Sequence, residues 1–243
     1  MSLGFESLKV GGLKWVASYL QSLEIPLFPQ SYFRGHASTD WKLQASVFRP
    51  GTVGITRIAE LSAWQQTARR FFPGGLHGPL EYLVLAQHFG IATNLLDWTT
   101  NPLIALFFAC QSDAGDVDGV VIQITGTALD VEGLSAEEIL YREKQPPLII
   151  DTSTMNIRST AQDSVMSLHG PDEPPLDGKA VFRVPHTAKN EILHALTLFG
   201  ITPERVYADL GVAAVQFRDA LHIQHQIREA FQRAGSTPLP PQV

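Results

Sequence analysis

Apolar residues recur at three- and four-residue steps at Leu13, Val16, Ala17, Leu20 and Leu23, which predicts a first amphipathic helix. Pro26 and Pro29 end it. Ser31 to His36 reads as a short strand whose Gly35 lets the backbone turn or approach a ligand closely. Trp41 to Arg49 is expected to be irregular or extended, closed by a turn at Pro50-Gly51. Ile58, Leu61, Trp64, Ala68 and Phe71 form the apolar stripe of a second helix. Leu80, Leu83 and Val84, followed by Gln87-His88, mark a third that ends at Gly90. A short apolar strand with Leu95 and Leu96 comes next, and Pro102 opens another helix, capped by Thr100 or Asn101. That helix is apolar on nearly every face (Leu103 to Phe108), so it is expected to be central and buried.

Further on, Gly119 to Ile124 has the β-branched density of a buried strand. Ser135 to Tyr141 reads as a short helix. Leu148 to Ile150, Val165 to Leu168 and Ala180 to Val184 read as strands, the last two joined by a Pro- and Asp-rich loop from Gly170 to Gly178. Thr187 starts a helix carrying Ile192, Ala195, Leu196 and Phe199 on one face and ending at Gly200, and one or more helices cover about Asp209 to Arg233. The outline is an α+β fold, a helical N-terminal half wrapped onto a mixed β-sheet. One domain is expected over residues 1–235, with a frayed Pro-rich tail over 236–243.

Composition narrows the class. The 243 residues are 44% hydrophobic and 17% charged, an ordinary globular balance. A net charge of −6 argues against a passive nucleic-acid binder, but not against an enzyme that handles nucleic acid through a local basic patch. Cys110 is the single cysteine, so no disulfide forms within one chain, which suits a reducing compartment. No apolar run is long enough to span a bilayer, and the expectation is a cytoplasmic protein without a membrane partner.

A buried element that begins with Asp97, Trp98, Thr99 and Thr100 needs a reason, because unpaired hydroxyls and carboxylates are costly inside a protein. They either cap the helix or meet a ligand. Three segments carry a family pattern. One is Phe33-Arg34-Gly35-His36 with Trp41, Leu43 and Phe48-Arg49. The most specific is Gln87-His88-Phe89-Gly90 leading into Leu95-Leu96-Asp97-Trp98-Thr99, Asn101-Pro102-Leu103 and Ala105-Leu106. A weaker third holds Arg158 and Gln162, then Val184-Pro185, Lys189, Ile192, Leu193, Leu196, Gly200-Ile201 and Asp209-Leu210. Together they resemble the FRG domain, a bacterial and phage family, over about Tyr32 to Leu210. That family usually places a glycine shortly after the glutamine, where this chain has Asp163-Ser164.

The order of elements is also loosely similar to ADP-ribosyltransferases, whose split sheet carries an Arg-Gly on a first strand, a Ser/Thr-ended strand feeding a helix, and a later strand with an acidic residue. Arg34-Gly35, Trp98-Thr99-Thr100 and Gln162-Asp163 fall in that order. This resemblance implies an NAD-dependent ADP-ribosyltransferase-like enzyme of the toxin or phage-defence type. It would use NAD as substrate, break the nicotinamide–ribose bond and modify an unknown protein or nucleic-acid acceptor. Arg34, Thr99, Gln162 and Asp163 would be catalytic. NAD would be held by Arg34, Gly35, His36, Gln87, His88, Asp97, Trp98, Thr99, Thr100 and Arg158.

Each of these residues also has a plainer reading. The Arg34 fork suits a diphosphate, or a salt bridge to Asp97 or Glu60. Thr99 and Thr100 suit a ribose or a helix cap. Asp97 suits orientation of Arg34 or Arg158, and Trp98 suits ring stacking or the core. His88 and Gln87 suit a cleft wall, or in the case of the histidine a helix C-terminus. Gln162 brings no charge, and Asp163 lies on the opposite strand face if Gln162 points inward. No metal is expected, since His222 and His225 have no obvious third ligand. The alternative function is a non-catalytic module that recognises a nucleotide or nucleic acid through the same residues.

Overall fold

The computed structural model describes residues 5–71, 76–111, 116–129, 133–142, 146–152, 155, 160–171, 176 and 178–208, with isolated positions between 218 and 229. Six strands form one sheet: β1 (Gln30–His36), β2 (Leu95–Thr99), β3 (Gly119–Gly126), β4 (Leu148–Asp151), β5 (Ser164–Leu168) and β6 (Lys179–Val184). Their spatial order is β4-β5-β2-β1-β3-β6. Among the described residues seven α-helices with complete bounds accompany them: α1 (Phe5–Ser22), α2 (Ile58–Ala68), α3 (Pro79–His88), α4 (Pro102–Ala109), α5 (Ala136–Leu140), α6 (Lys189–Thr197) and α7 (Pro203–Tyr207).

The class is α+β, as the hydrophobic pattern predicts. The sheet corrects the expectation of a mixed one, because every strand ladder is antiparallel and parallel pairing is confined to isolated bridges such as Gly54 with Ala92. Antiparallel strands need no βαβ crossover, and the helices that connect them gather on one face of the sheet.

That face carries two separate cores. Phe33 of β1 and Val121 of β3 pack under α1, α4 and α6 with Ile104, Phe107, Ile192 and Leu196. Leu95 of β2, Met166 of β5 and Ile150 of β4 pack under α2, α3 and α5 with Leu61, Leu83 and Ile139. On the back face a third cluster runs across the middle of the sheet, from Ile122 and Ile124 through Tyr32 to Leu96, Trp98 and Val165.

Pairing explains the division. β1 meets β3 along its whole length, from Gln30 opposite Gly126 to His36 opposite Val120, and β2 meets β5 at all five of its residues. Between β1 and β2 only Phe33 and Thr99 pair. Beyond that point the two central strands diverge, and the helical layer parts above the gap.

The short α7 was not anticipated, although Thr202 caps it through a bond from the Arg205 amide and Pro203 stands at its first position. Phe71 and Phe199, expected on helical stripes, fall just past α2 and α6 and are exposed. The helices expected over Asp209 to Arg233 and the tail over 236–243 lie mostly or wholly outside the described residues.

Candidate functional site

The gap between β1 and β2 opens into a cavity of about 340 Å³. Its base is formed by Phe33, Arg34 and Gly35 from one strand and Asp97, Trp98 and Thr99 from the other. Val84, Gln87 and His88 of α3 form one wall, and Phe108 and Gln111 at the end of α4 form the opposite one. Gln162, Ser164 and Met166 close one end with Tyr207 of α7, and Ala37 and half-exposed Trp41 stand at the other.

Arg34 occupies the place where strand pairing fails. Its Nε donates to His36 Nε2 at 2.9 Å and its Nη1 to the Asp97 backbone carbonyl at 2.6 Å. The Asp97 carboxylate is farther, at 3.9 Å from Nη1. Among the described residues Nη2 has no hydrogen-bond partner. Burial lowers the Arg34 pKa and Asp97 opposes that shift; a guanidinium stays protonated all the same.

His36 is buried behind it. Desolvation first, then the Arg34 and Arg49 charges, push its pKa down to about 4, with the Trp41 backbone opposing weakly. The ring is therefore neutral near pH 7, with Nε2 as acceptor and the proton on Nδ1. His36 does not line the cavity; it positions Arg34.

A second chain of hydrogen bonds fixes the α3 side. The buried Thr93 hydroxyl donates to Gln87 Oε1 at 2.6 Å, which turns the Gln87 amide so that Nε2 donates to Asp97 Oδ2 at 2.6 Å. Thr93, Gln87, Asp97 and Arg34 thus form one connected network across the gap.

The remaining sequence candidates divide. Gln162 lines the cavity, with its Nε2 held by the Val206 carbonyl at 3.1 Å. Among the described residues its Oε1 has no partner. The Thr99 hydroxyl lines the cavity but is engaged, donating to the Gln162 carbonyl and accepting from the Asn101 amide. The Trp98 indole belongs to the back-face core, donating to Ser167 Oγ at 2.9 Å.

Thr100 and Asp163 are not among the lining residues: the Thr100 amide bonds the Asp163 carbonyl, and the Asp163 carboxylate accepts from the Asn101 side chain at 3.3 Å. The helix cap is Asn101, whose Oδ1 accepts from the Leu103 amide. Asp163 has φ of 47°, in the left-handed region that favours glycine and tolerates Asp. That is the physical content of the departure noted after Gln162. Arg158 lies outside the described residues.

Gly35 also has a structural duty. A Cβ there would collide with the backbone of α4 at Ala105 O and Ala109 N, so the glycine lets the helix sit directly on the strand. Trp41, Phe108, Gln111, Ser164, Met166 and Tyr207 line the cavity as well. Ser164 and Met166 share one face of β5 at strand period two, and Trp41 stands in the first family segment, signals that point to them in the sequence. Nothing local marks Phe108, Gln111 or Tyr207.

Among the described residues no group of three or more His, Cys, Asp or Glu is placed to hold a metal ion. His222 and His225 are exposed, and His225 faces Glu229. Cys110 is a buried free thiol, its pKa pushed up to about 12 by burial. No described helix is long and apolar enough to cross a membrane.

Comparison with known proteins matches residues 29–117 to the FRG domain. That segment is an FRG domain. The three residues that name the family are the three the gap depends on: Phe33 anchors β1 in the core, Arg34 bridges to β2, and Gly35 admits α4. The matched segment contains β1, α2, α3, β2 and α4 entire, and ends before the weaker third segment of the resemblance. Gln162, Ser164, Met166 and Tyr207 therefore complete the cavity from outside the matched FRG segment. No curated protein and no solved structure matches the chain significantly.

Proposed function

We propose that the cavity binds NAD and that the protein is an ADP-ribosyltransferase-like enzyme, cleaving the nicotinamide–ribose bond and passing ADP-ribose to a macromolecular acceptor or water. The observation that carries this reading is convergence: Arg34, Thr99 and Gln162, distant in sequence and set in the order of the transferase layout, all line one cavity. A volume of about 340 Å³ is at the small end of ligand sites, so it takes part of a dinucleotide while the remainder extends past the mouth. The residues fit such a ligand. Arg34 Nη2 is available to a diphosphate oxygen, Gln162 Oε1 to a ribose hydroxyl, and Trp41 presents a half-exposed ring at the entrance.

The test is a thermal-shift titration with NAD and ADP-ribose, paired with chromatographic detection of nicotinamide. NAD should raise the melting temperature of the wild type with dose. Arg34→Lys, which keeps the charge but loses the fork, should bind at least tenfold more weakly. No shift with either nucleotide and no nicotinamide released would overturn the reading. The second reading is a non-catalytic module recognising a nucleotide or nucleic acid in the same cavity. It is favoured by the absence of any glutamate among the described lining residues, and it predicts saturable binding without nicotinamide release.

A further inference from the structure

Resting on the NAD reading above, we infer that Asp97 is the catalytic carboxylate, the negative group that stabilises positive charge on the ribose as nicotinamide departs. Cleavage breaks the bond between ribose C1′ and the pyridinium nitrogen. The bonding pair goes to the ring, nicotinamide leaves neutral, and C1′ is left electron-poor. A water or acceptor hydroxyl then bonds to C1′ and gives up its proton, so with water the products are ADP-ribose, nicotinamide and a proton. An anion facing C1′ lowers that barrier, and the sequence offered only Gln162, which is neutral, and Asp163.

The cavity answers differently. Asp97 is the one acidic residue among the described lining residues. Asp163 is turned to the Asn101 side chain and is not part of the lining.

Asp97 is also prepared for the task. Gln87 Nε2 donates to Oδ2 at 2.6 Å, and the buried Thr93 hydroxyl donates to Gln87 Oε1 at 2.6 Å behind it. Oδ1 has no partner among the described residues, and the side chain is 47% exposed, within reach of a ligand. The nearest cation does not cancel the charge, because Arg34 directs its short bond to the Asp97 carbonyl and stands 3.9 Å from the carboxylate. Asp97 lies on the same sheet face as Thr99, two residues on, and pairs with Met166, so the carboxylate shares the base of the cavity with Thr99. A fixed carboxylate in a recess acts without reorganising during the reaction, the condition under which one electrostatic group changes rate by a factor of about 10²–10³.

The experiment measures NAD binding and nicotinamide release separately in wild type, Asp97→Asn, Asp97→Glu and Asp97→Ala. Asp97→Asn still accepts from Gln87 and should bind NAD within threefold of wild type while releasing nicotinamide at least a hundredfold more slowly. Asp97→Glu should recover part of the rate. Sodium formate should raise the rate of Asp97→Ala tenfold or more, a response that a merely structural aspartate would not give and that does not depend on the asparagine variant folding. Full turnover in Asp97→Asn, or no formate response, overturns the assignment and leaves the NAD reading standing. A wild type that binds NAD without releasing nicotinamide overturns both the enzyme reading and this assignment.

Discussion

Gly35 and Arg34 are adjacent and serve opposite sides of one strand. Gly35 faces α4, where even a methyl group meets main-chain atoms that cannot move aside. Gly35→Ala should therefore destabilise the protein by at least about 1–3 kcal/mol, the usual cost of overpacking, and a urea titration measures it. Two buried histidines make stability depend on acid. His36 and His169 titrate near 4 in the folded chain, lowered first by desolvation and next by the Arg34 charge. Unfolded histidine titrates near 6.5, so between those values the unfolded chain binds more protons and stability falls as pH falls from about 6.5 to about 4. Each group contributes on the order of 3 kcal/mol to that loss. His36→Gln and His169→Gln should each flatten the profile of unfolding free energy between pH 4.5 and 6.5; an unchanged slope in both would refute the assignment. At this scale several of the residues that gather round the cavity were legible in the sequence and their engagements were not. Arg34-Gly35 and Thr99 stand out as polar or permissive positions beside apolar runs, but only the tertiary arrangement shows Thr99 held by Gln162 and Asn101, and His36 holding Arg34 from behind.

At the scale of elements, α4 is the support on which the site rests, and its start is fixed by Asn101. Removing that cap in Asn101→Ala should cost about 1 kcal/mol, and more if the amides of the first turn are shut off from water. Thr100→Ala, at a position that caps nothing, should cost less than half as much in the same denaturation series. All six strands and every described helix but α7 were expected from the sequence, the longer helices from apolar repeats and β3 from its β-branched density, because burial dominates local preference. The five residues of α7 are too few to show a period and were legible only through Thr202 and Pro203. Sheet polarity was not legible, since a run such as Gly119 to Ile124 is equally apolar in a parallel or an antiparallel sheet.

At the scale of the molecule, two cores share one sheet. Lys189 braces the first of them from within. Buried at the start of α6, it donates to the Ala37 carbonyl beyond β1 at 2.7 Å and to the Gln111 carbonyl beyond α4 at 3.1 Å. Lys189→Met keeps the length and leaves both carbonyls without that donor, so it should destabilise by about 1–3 kcal/mol and loosen the cavity end lined by Ala37 and Gln111. The two cores are tied to each other by the back-face cluster, which runs unbroken from β3 through β1 to β2 and β5. The molecule is thus like an open book, sewn along the spine and free along the fore-edge. Arg34 lies in the fold, bridging one cover to the other. Whatever settles between the pages must touch both covers at once, and so it would stiffen the whole protein in proportion to how tightly it is gripped.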